Sequence, residues 1–528
     1  MTEMDDTMSA PSPSTIWTRS EDQLQRVLPE FLKSRRWFGG KTRAIASVEI
    51  ADVIPIPHPA IAVAIAVARV NYAEGPSEFY TVPLLEEPQI DRAPSDDARI
   101  RIRDADGAEH VFSDALLNPP ILEMLFDAIQ QSRHFPGRAA ELVGVATRSL
   151  DTLRDAAQGN LQPSPMKVEQ SNSSILYGRA FVLKFFRRLE MGVNPDFEVG
   201  RFLSERAGFR NIPAVAGGFE YRDGSAEPAT MAILQGFVAN QGDAWKHTLK
   251  AVSDYYDRIA AMKPEDIDAQ SLGGYASGAA LLGRRTAEMH AALASDRSDP
   301  SFAPEPFSPA HQRDISESMV ALTHETFGML RQRAPDLPAH SRAVANATLA
   351  SENRLRERFR ALASRKLTGP RIRIHGDLHL GQVLFTGEDF VFIDFEGEPA
   401  RTLVERREKH SPLRDPAGMV RSFHYAAYAA LFQRLGAAGL QSDAWRSLVP
   451  FANAWYRVAA AEYLRAYFDA ASTANFLPAD RTESDFWLHF WLLGKAVYEL
   501  KYELNHRLDW VAIPLEGIAA LIGGAAAS

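Results

Sequence analysis

Residues 371–385, RIRIHGDLHLGQVLF, and residues 391–399, VFIDFEGEP, decide the reading of this chain. Each carries a short apolar, strand-like run next to a polar turn. Asp377 and Gln382 fall in the first stretch and Asp394 in the second. Asp377 is placed to accept a proton from a hydroxyl group. A carboxylate and an amide oxygen from separate loops can each fill one or two octahedral positions on Mg²⁺, leaving the others to phosphates and water. In-line phosphoryl transfer asks a protein mainly for position and positive charge, and this donor set meets that demand. A lone His-Gly-Asp would fit a core histidine and a turn aspartate equally well. Gln382 and Asp394, at their spacings, give the motif its chemical context.

Upstream, residues 168–178, VEQSNSSILYG, join two β-rich runs through small polar residues. This reads either as an ordinary solvated hairpin turn or as a hairpin whose hydroxyl and amide groups, Ser171, Ser173 and Ser174 among them, would face phosphates. Without glycine at the tip, side chains rather than bare backbone have to do part of that binding. Residues 181–186, FVLKFF, are an apolar strand broken by Lys184. Residues 194–203, NPDFEVGRFL, then open a helix: Asn194 suits the cap, Pro195 the first position, and Asp196 the positive end, with Glu198 one turn inside. Residues 230–238, TMAILQGFV, read as a buried strand running into a polar connection.

At the amino-terminal end, Ser20 and Gln23 form a capping-box pattern for a helix through Leu24, Val27, Leu28 and Phe31, kinked or restarted at Pro29. It runs into SRRWFGGK at residues 34–41. Strands are expected over residues 48–56, 61–70 and 78–85, followed by a hairpin over residues 99–112 that turns at residues 104–107. From about residue 248 the periodicity becomes helical, and the charged run over residues 341–366 reads as a solvated helix face. Near the carboxyl end, Phe486, Phe490, Leu493, Val497, Leu500 and Leu504 form one apolar stripe. Beside it, Trp487, Trp491, Lys495, Tyr498 and Tyr502 place a cation and phenols next to indoles, a combination that suits either core or the C–H faces and hydroxyls of a sugar.

Composition narrows the class. The 528 residues exceed one ordinary core, so two or three subdomains are expected. With no cysteine, disulfides, a thiolate nucleophile and cysteine-ligated zinc are excluded. A net charge of −9 and an isoelectric point near 5.9 offer no broad basic field, so nucleic acid is not an expected partner despite the Arg-Arg-Trp-Phe segment. The acidic start lacks a basic segment followed by an apolar run, and residues 518–528 are too short to span a bilayer, so a cytoplasmic enzyme with no membrane partner is expected.

HGDLHLGQVL with IDFEGEP, LKFFRR followed by NPDFEVGRFL, and RRWFGGK together resemble the maltokinase family, within the aminoglycoside-phosphotransferase branch of the eukaryotic-like kinase superfamily. The resemblance spans roughly residues 20–515. It implies an α+β, bilobal protein-kinase-like fold with an amino-terminal antiparallel β cap and a mostly helical carboxyl-terminal lobe. The organisation expected is a disordered tail over residues 1–19, a cap over 20–115, an intermediate segment and nucleotide lobe over 116–240, and a helical lobe over 241–528. The resemblance implies ATP and Mg²⁺ as cofactors, Asp377 as base, Gln382 and Asp394 as metal ligands, and Lys184 paired with Glu198 on the nucleotide phosphates. It makes Gln235, Phe237 and Val238 the adenine-binding hinge. For the sugar it suggests Lys495, Tyr498 and Tyr502, with Glu396, Glu398, Arg421 and Tyr425 as further candidates, Glu396 suiting a metal role as well as a sugar one. The implied reaction is phosphorylation of the anomeric hydroxyl of maltose, feeding α-glucan synthesis linked to trehalose. Two alternatives remain open at this point. One is an amino-sugar or aminoglycoside kinase using Glu396, Glu398, Glu499 and Glu503 as extra carboxylates. The other is a noncatalytic partner subunit of trehalose synthase, against which the full set of Lys184, Glu198, Asp377, Gln382 and Asp394 argues.

Overall fold

The computed structural model describes residues 13–87, 99–103, 107–156, 159, 161–166, 172–259, 262–436 and 442–523. The chain divides into two compact units, one of residues 1–205 and 213–238, the other of residues 206–212 and 239–528.

The first unit opens with helix α1 (Pro13–Ser34). Residues 13–19 are therefore helical rather than a loose tail. Ser20 is not the cap, because the helix already runs from Pro13 through it. Ser20 is fully buried inside the helix, which continues through Pro29. Five strands follow: β1 (Ile45–Ile56), β2 (Val63–Tyr72), β3 (Glu78–Glu86), β4 (Ile100–Arg103) and β5 (Glu109–Asp114), in antiparallel order β1-β2-β3-β5-β4. Apolar side chains from alternate positions of this sheet pack with Leu24, Leu28 and Phe31 of α1 and with Trp37 and Phe38 of the RRWFGGK segment. The two aromatic residues of that segment are thus core, while Arg36, Gly39 and Lys41 are exposed.

Next come α2 (Pro119–Gln130), β6 (His134–Pro136), β7 (Glu141–Ala146), α3 (Ser149–Ala156), β8 (Pro163–Pro165), β9 (Asn172–Tyr177), β10 (Phe181–Phe186), β11 (Arg188–Leu189), α4 (Pro195–Glu205), β12 (Val215–Arg222) and β13 (Ala229–Gly236). They build a seven-stranded sheet in the order β6-β7-β12-β13-β10-β9-β8. β10 does not stop at the sheet edge. Two residues on, β11 pairs with β3, so one continuous chain segment belongs to both sheets.

The second unit is mostly helical: α5 (Ala244–Arg258), α6 (Gly274–Leu293), a short β14 (Glu305–Pro306), α7 (Pro309–Arg333), α8 (Ala339–Leu349), α9 (Glu352–Arg360), β15 (Pro370–Arg371), β16 (Val383–Phe385), β17 (Phe390–Phe392), α10 (Leu403–Arg406), α11 (Arg414–Leu435), α12 (Asp443–Ala471), α13 (Arg481–His506) and α14 (Ala512–Gly523). The run over residues 341–366 is α8, α9 and a final 3-10 turn rather than one helix. α11 is buried along most of its length and forms the axis of the unit. Gly418 lets it press against the HGD loop, since a Cβ there would lie 2.5 Å from the Leu378 carbonyl oxygen. No helix among the described residues is long and apolar enough to cross a membrane.

Candidate active site

The first unit supplies one cluster. β10 lies antiparallel between β9 and β13, with Lys184 opposite Ser174 and Ile233. Side chains alternate across a strand, so Ser174 and Lys184 share the half-buried face while Ser173 points to the other, buried one. Lys184 Nζ is 3.3 Å from Asp196 Oδ2. Asn194 caps α4 by accepting the Asp196 N–H at 2.8 Å, which fixes where that carboxylate stands. The first turn of α4 thus brings an acid two positions ahead of Glu198 to the lysine, with Glu198 itself in the same turn.

Ser173 corrects an expectation. Its hydroxyl accepts a hydrogen bond from Arg187 Nε at 2.8 Å, and Arg187, almost fully buried, pairs with Asp114 and lies 4.9 Å over the Trp37 ring. A buried guanidinium needs such partners, so Ser173 serves the packing of the two sheets rather than the phosphate contact expected of it. Ser171 lies outside the described residues. At the expected hinge, Gln235 is a strand residue opposite Val182, and the Phe237 N–H donates to the Ala180 carbonyl at 2.7 Å. That amide is spent and cannot serve a nucleobase. Val238 follows it, half-buried.

In the second unit, Gln382 Nε2 donates to Asp394 Oδ2 at 2.9 Å, so the two expected metal ligands stand side by side. Using the amide nitrogen this way leaves the Gln382 oxygen as a donor atom beside a carboxylate, an all-oxygen set of the kind Mg²⁺ takes. Asp394 holds φ at +68°, in the left-handed region that few non-glycine residues adopt and that strained functional turns often use. His375 is core after all: its Nδ1 accepts the Asp377 N–H at 3.4 Å and its Nε2 donates to the Ile393 carbonyl at 3.0 Å, which ties the HGD loop to the strand before Asp394. Beneath the loop, the buried Asp415 of α11 accepts the N–H groups of His375 (2.8 Å) and Gly376 (3.0 Å) and meets His290 Nε2 at 3.0 Å. Burial pushes the Asp415 carboxyl up, but these donors outweigh it and hold it below the usual range.

Asp377 opens onto a cavity lined also by Met319, Leu322, Glu398, Trp491, Lys495 and Tyr498. Lys495 Nζ is 3.0 Å from Asp377 Oδ1. Burial would lower the Lys495 pKa, but Asp377, Glu398 and Glu499 overcome it, so the ammonium stays charged. Glu398 receives Arg401 at 2.9 Å and Arg414 at 3.1 Å. Burial pushes the Glu398 carboxyl up, whereas Arg414, Lys495 and Arg401 together bring it down to about 2. The aromatic stripe of α13 is split by depth: Trp487 is core, stacked on Trp491 at 5.9 Å, while Trp491 reaches the cavity wall.

Four expected sugar contacts are not on that wall. Arg421 is 2% exposed and spends Nε and Nη2 on Glu499 Oε2, at 2.9 and 2.6 Å, because a guanidinium inside the protein must be neutralised. Tyr425 turns its hydroxyl to Glu503 at 3.3 Å. Tyr502, one helical turn beyond Tyr498, is exposed and stacks on His506 at 4.4 Å. Glu396 faces Arg406, whose Nη1 is 3.9 Å from its carboxylate. Sequence reasoning missed Arg401, Arg414 and Asp415. Only Asp415 carries a readable signal, as the acidic residue opening a helix just before a proline.

Residues 31–116 match the maltokinase N-terminal cap domain, and residues 177–397 match the phosphotransferase enzyme family. The chain joins a maltokinase-type cap to a phosphotransferase domain. A glucosamine kinase of Streptacidiphilus jiangxiensis is 25% identical over 355 residues, covering 66% of this chain and 70% of that protein. A second glucosamine kinase, from Mycolicibacterium smegmatis, is 26% identical over 431 residues, covering 80% and 92%. Among solved structures, a glucosamine kinase in complex with glucosamine, ADP and inorganic phosphate aligns with a TM-score of 0.63 at 20% identity, over 93% of this chain and 98% of that one. Another crystal form aligns with a TM-score of 0.65, also at 20% identity, over 94% and 99%. The capped, kinase-like phosphotransferase fold expected from the sequence is therefore the fold this chain has, with an antiparallel amino-terminal sheet and a helical carboxyl-terminal region.

Proposed function

We propose that this protein is an ATP-dependent sugar kinase that transfers the γ-phosphoryl group to the anomeric hydroxyl of maltose, releasing maltose 1-phosphate and ADP. One observation carries the reading: Asp377, the only acid of the HGD motif, stands at the wall of a cavity that also presents an indole, a phenol and an ammonium group. Aromatic faces take the C–H surface of a pyranose while charged and phenolic groups bond its hydroxyls. Asp377 orients the sugar hydroxyl and takes its proton as the oxygen attacks. Lys495, held charged, keeps the carboxylate turned toward the cavity. Lys184 and Ser174 face the nucleotide phosphates, with Asp196 and Glu198 steadying the lysine. Gln382 and Asp394 are the residues that would hold Mg²⁺, which when bound neutralises phosphate charge. Residues 20–115 serve as cap, 116–240 as nucleotide lobe and 241–528 as the sugar-binding lobe, in the cytoplasm.

A second reading, glucosamine as substrate, is favoured by the names of the curated relatives. Charge argues against it. The cavity wall holds three carboxylates, Asp377, Glu398 and Asp415, and three cations, Arg401, Arg414 and Lys495. The other acids named for an ammonium sugar lie off that wall and face cations, Glu499 with Arg421, Glu503 with Arg507 and Glu396 with Arg406. A pocket without surplus negative charge gains little from a cationic substrate, which supports a neutral sugar. An ADP-release assay with maltose, glucose, glucosamine and an aminoglycoside decides it. Turnover of maltose above the others is the expected result, and turnover of glucosamine without maltose would sink the assignment. The pathway role, with product used in trehalose-linked α-glucan synthesis and a trehalose synthase as partner, belongs to the same proposal; co-purification of the two enzymes tests it.

A further inference from the structure

Asp377 has a cation and an imidazole as neighbours, and only the cation is within hydrogen-bond reach. Lys495 Nζ stands 3.0 Å from Oδ1, and His379 Nε2 stands 3.9 Å from Oδ2. The same imidazole does something else: its Nδ1 accepts the Gly381 N–H at 3.0 Å and so caps the single 3-10 turn Leu380–Gln382 that carries the metal-side amide. Gly381 makes room for it, since a Cβ there would lie 2.8 Å from His379 Cε1 and 3.0 Å from Nδ1. Because Nδ1 accepts, the ring proton of a neutral imidazole sits on Nε2, the nitrogen turned toward Asp377. Burial lowers the His379 pKa against the opposing pull of Asp377, which keeps one donor and one acceptor on the ring at neutral pH.

We propose that His379 is a positioning residue that couples the two halves of the catalytic loop, its Nε2–H restraining the Asp377 carboxylate and its Nδ1 seating the turn that presents Gln382. The proposal rests on the reading of Asp377 as base and Gln382 as metal ligand. A catalytic hydrogen bond that is long without substrate is expected to tighten once the sugar is bound. Lys495 alone would leave the carboxylate free to swing about its bond to Cβ. Closing from 3.9 Å onto the carboxylate, the His379 Nε2–H would remove that freedom, and the shared ring would fix the spacing between base and amide.

Two conservative substitutions separate the roles, because the amide oxygen of Asn occupies the place of Nδ1 and the amide nitrogen of Gln that of Nε2. With the full-length enzyme, H379N keeps the cap and loses the contact to Asp377. Its kcat should fall about tenfold, the usual worth of a hydrogen bond to a charged group, with the half-saturating Mg²⁺ concentration unchanged. H379Q keeps the contact and loses the cap. It should raise the half-saturating Mg²⁺ concentration several-fold while kcat at saturating Mg²⁺ stays within about threefold of wild type. H379A should show both defects. Equal losses in H379N and H379Q accompanied by lowered melting temperatures would mean a merely structural histidine and overturn the proposal, as would wild-type kinetics in both. D377N runs beside them. If D377N keeps wild-type turnover, the base assignment itself fails; if D377N is inactive while both His379 variants behave as wild type, only the coupling role fails.

Discussion

The hairpin that carries Lys184 and the loop that carries Asp377 reach their positions by opposite means. On β9 and β10 every side chain is aimed by the strand ladder: Lys184 faces Ser174 across a register fixed by backbone hydrogen bonds on both sides. A single substitution leaves that aim intact, because the backbone sets it. The HGD loop has no such ladder. Its amides are held by the Asp415 carboxylate and the Ser422 hydroxyl of α11, and its side chains by one another, through His375, His379 and Lys495. A loop anchored by side chains is fragile at each anchor, whereas the sheet spreads the load.

The largest effect that follows is at the proposed base. Replacing Asp377 by Asn keeps size and shape but removes the proton acceptor, so turnover should drop by about two to four orders of magnitude while ATP binding, read by a fluorescent nucleotide analogue, persists. Loss of nucleotide affinity along with turnover would show that Asp377 has another role. The next is at the anchor. Asp415→Asn deprives two loop amides and His290 of a buried carboxylate, and the expected cost is on the order of 3 kcal/mol in urea unfolding, together with a lower kcat. If stability falls and the residual folded enzyme keeps its kcat, the loop is not held by this residue.

Acid probes the same contrast. Glu398 has its folded pKa depressed from about 4.5 to about 2. A depressed carboxyl contributes stability that is fully present above its unfolded pKa and is lost as pH falls through the folded value. The difference in unfolding free energy between wild type and E398Q should therefore be largest near neutral pH, on the order of 3 kcal/mol, and shrink between about pH 4.5 and 2. A difference that stays flat across that window would show that Arg401 and Arg414 do not hold this carboxylate charged.

How much was readable in advance follows the same divide. β1, β2, β3 and the β4–β5 hairpin were legible because alternation of apolar side chains is a local signal. Gln382 and Asp394, singled out by their spacing, do stand side by side, and Asp377 does line a cavity, because a loop of fixed length sets where its side chains fall. The sugar candidates were less so. Helical spacing puts Lys495, Tyr498 and Tyr502 on one stripe, yet only the first two line the cavity, since how far along α13 the cavity extends depends on what packs against it. Arg421 looked like a ligand for want of its partner Glu499, which lies 78 residues away in sequence. Arg401 and Arg414, which hold Glu398, are irregularly spaced and bear no pattern at all. The helix start at Pro13 was missed because Ser20 offered an equally good local cap, and packing of Trp17 against Phe112 overrode it.

The smallest effect tests the ladder itself. Ser173 and Ser174 are neighbours of the same type on the same strand, and alternation sends one hydroxyl to Arg187 and the other to the face of Lys184. Ser173→Ala should leave the ATP KM within about twofold and lower stability by about 1 kcal/mol, the net worth of a hydrogen bond, because the Arg187 guanidinium loses a partner in a buried place. Ser174→Ala should do the reverse, raising the ATP KM a few-fold with melting temperature unchanged. The pair shares every sequence property except register. If both variants shift KM alike, the hairpin does not hold its phosphate face by strand alternation, and the contrast with the side-chain-anchored loop disappears.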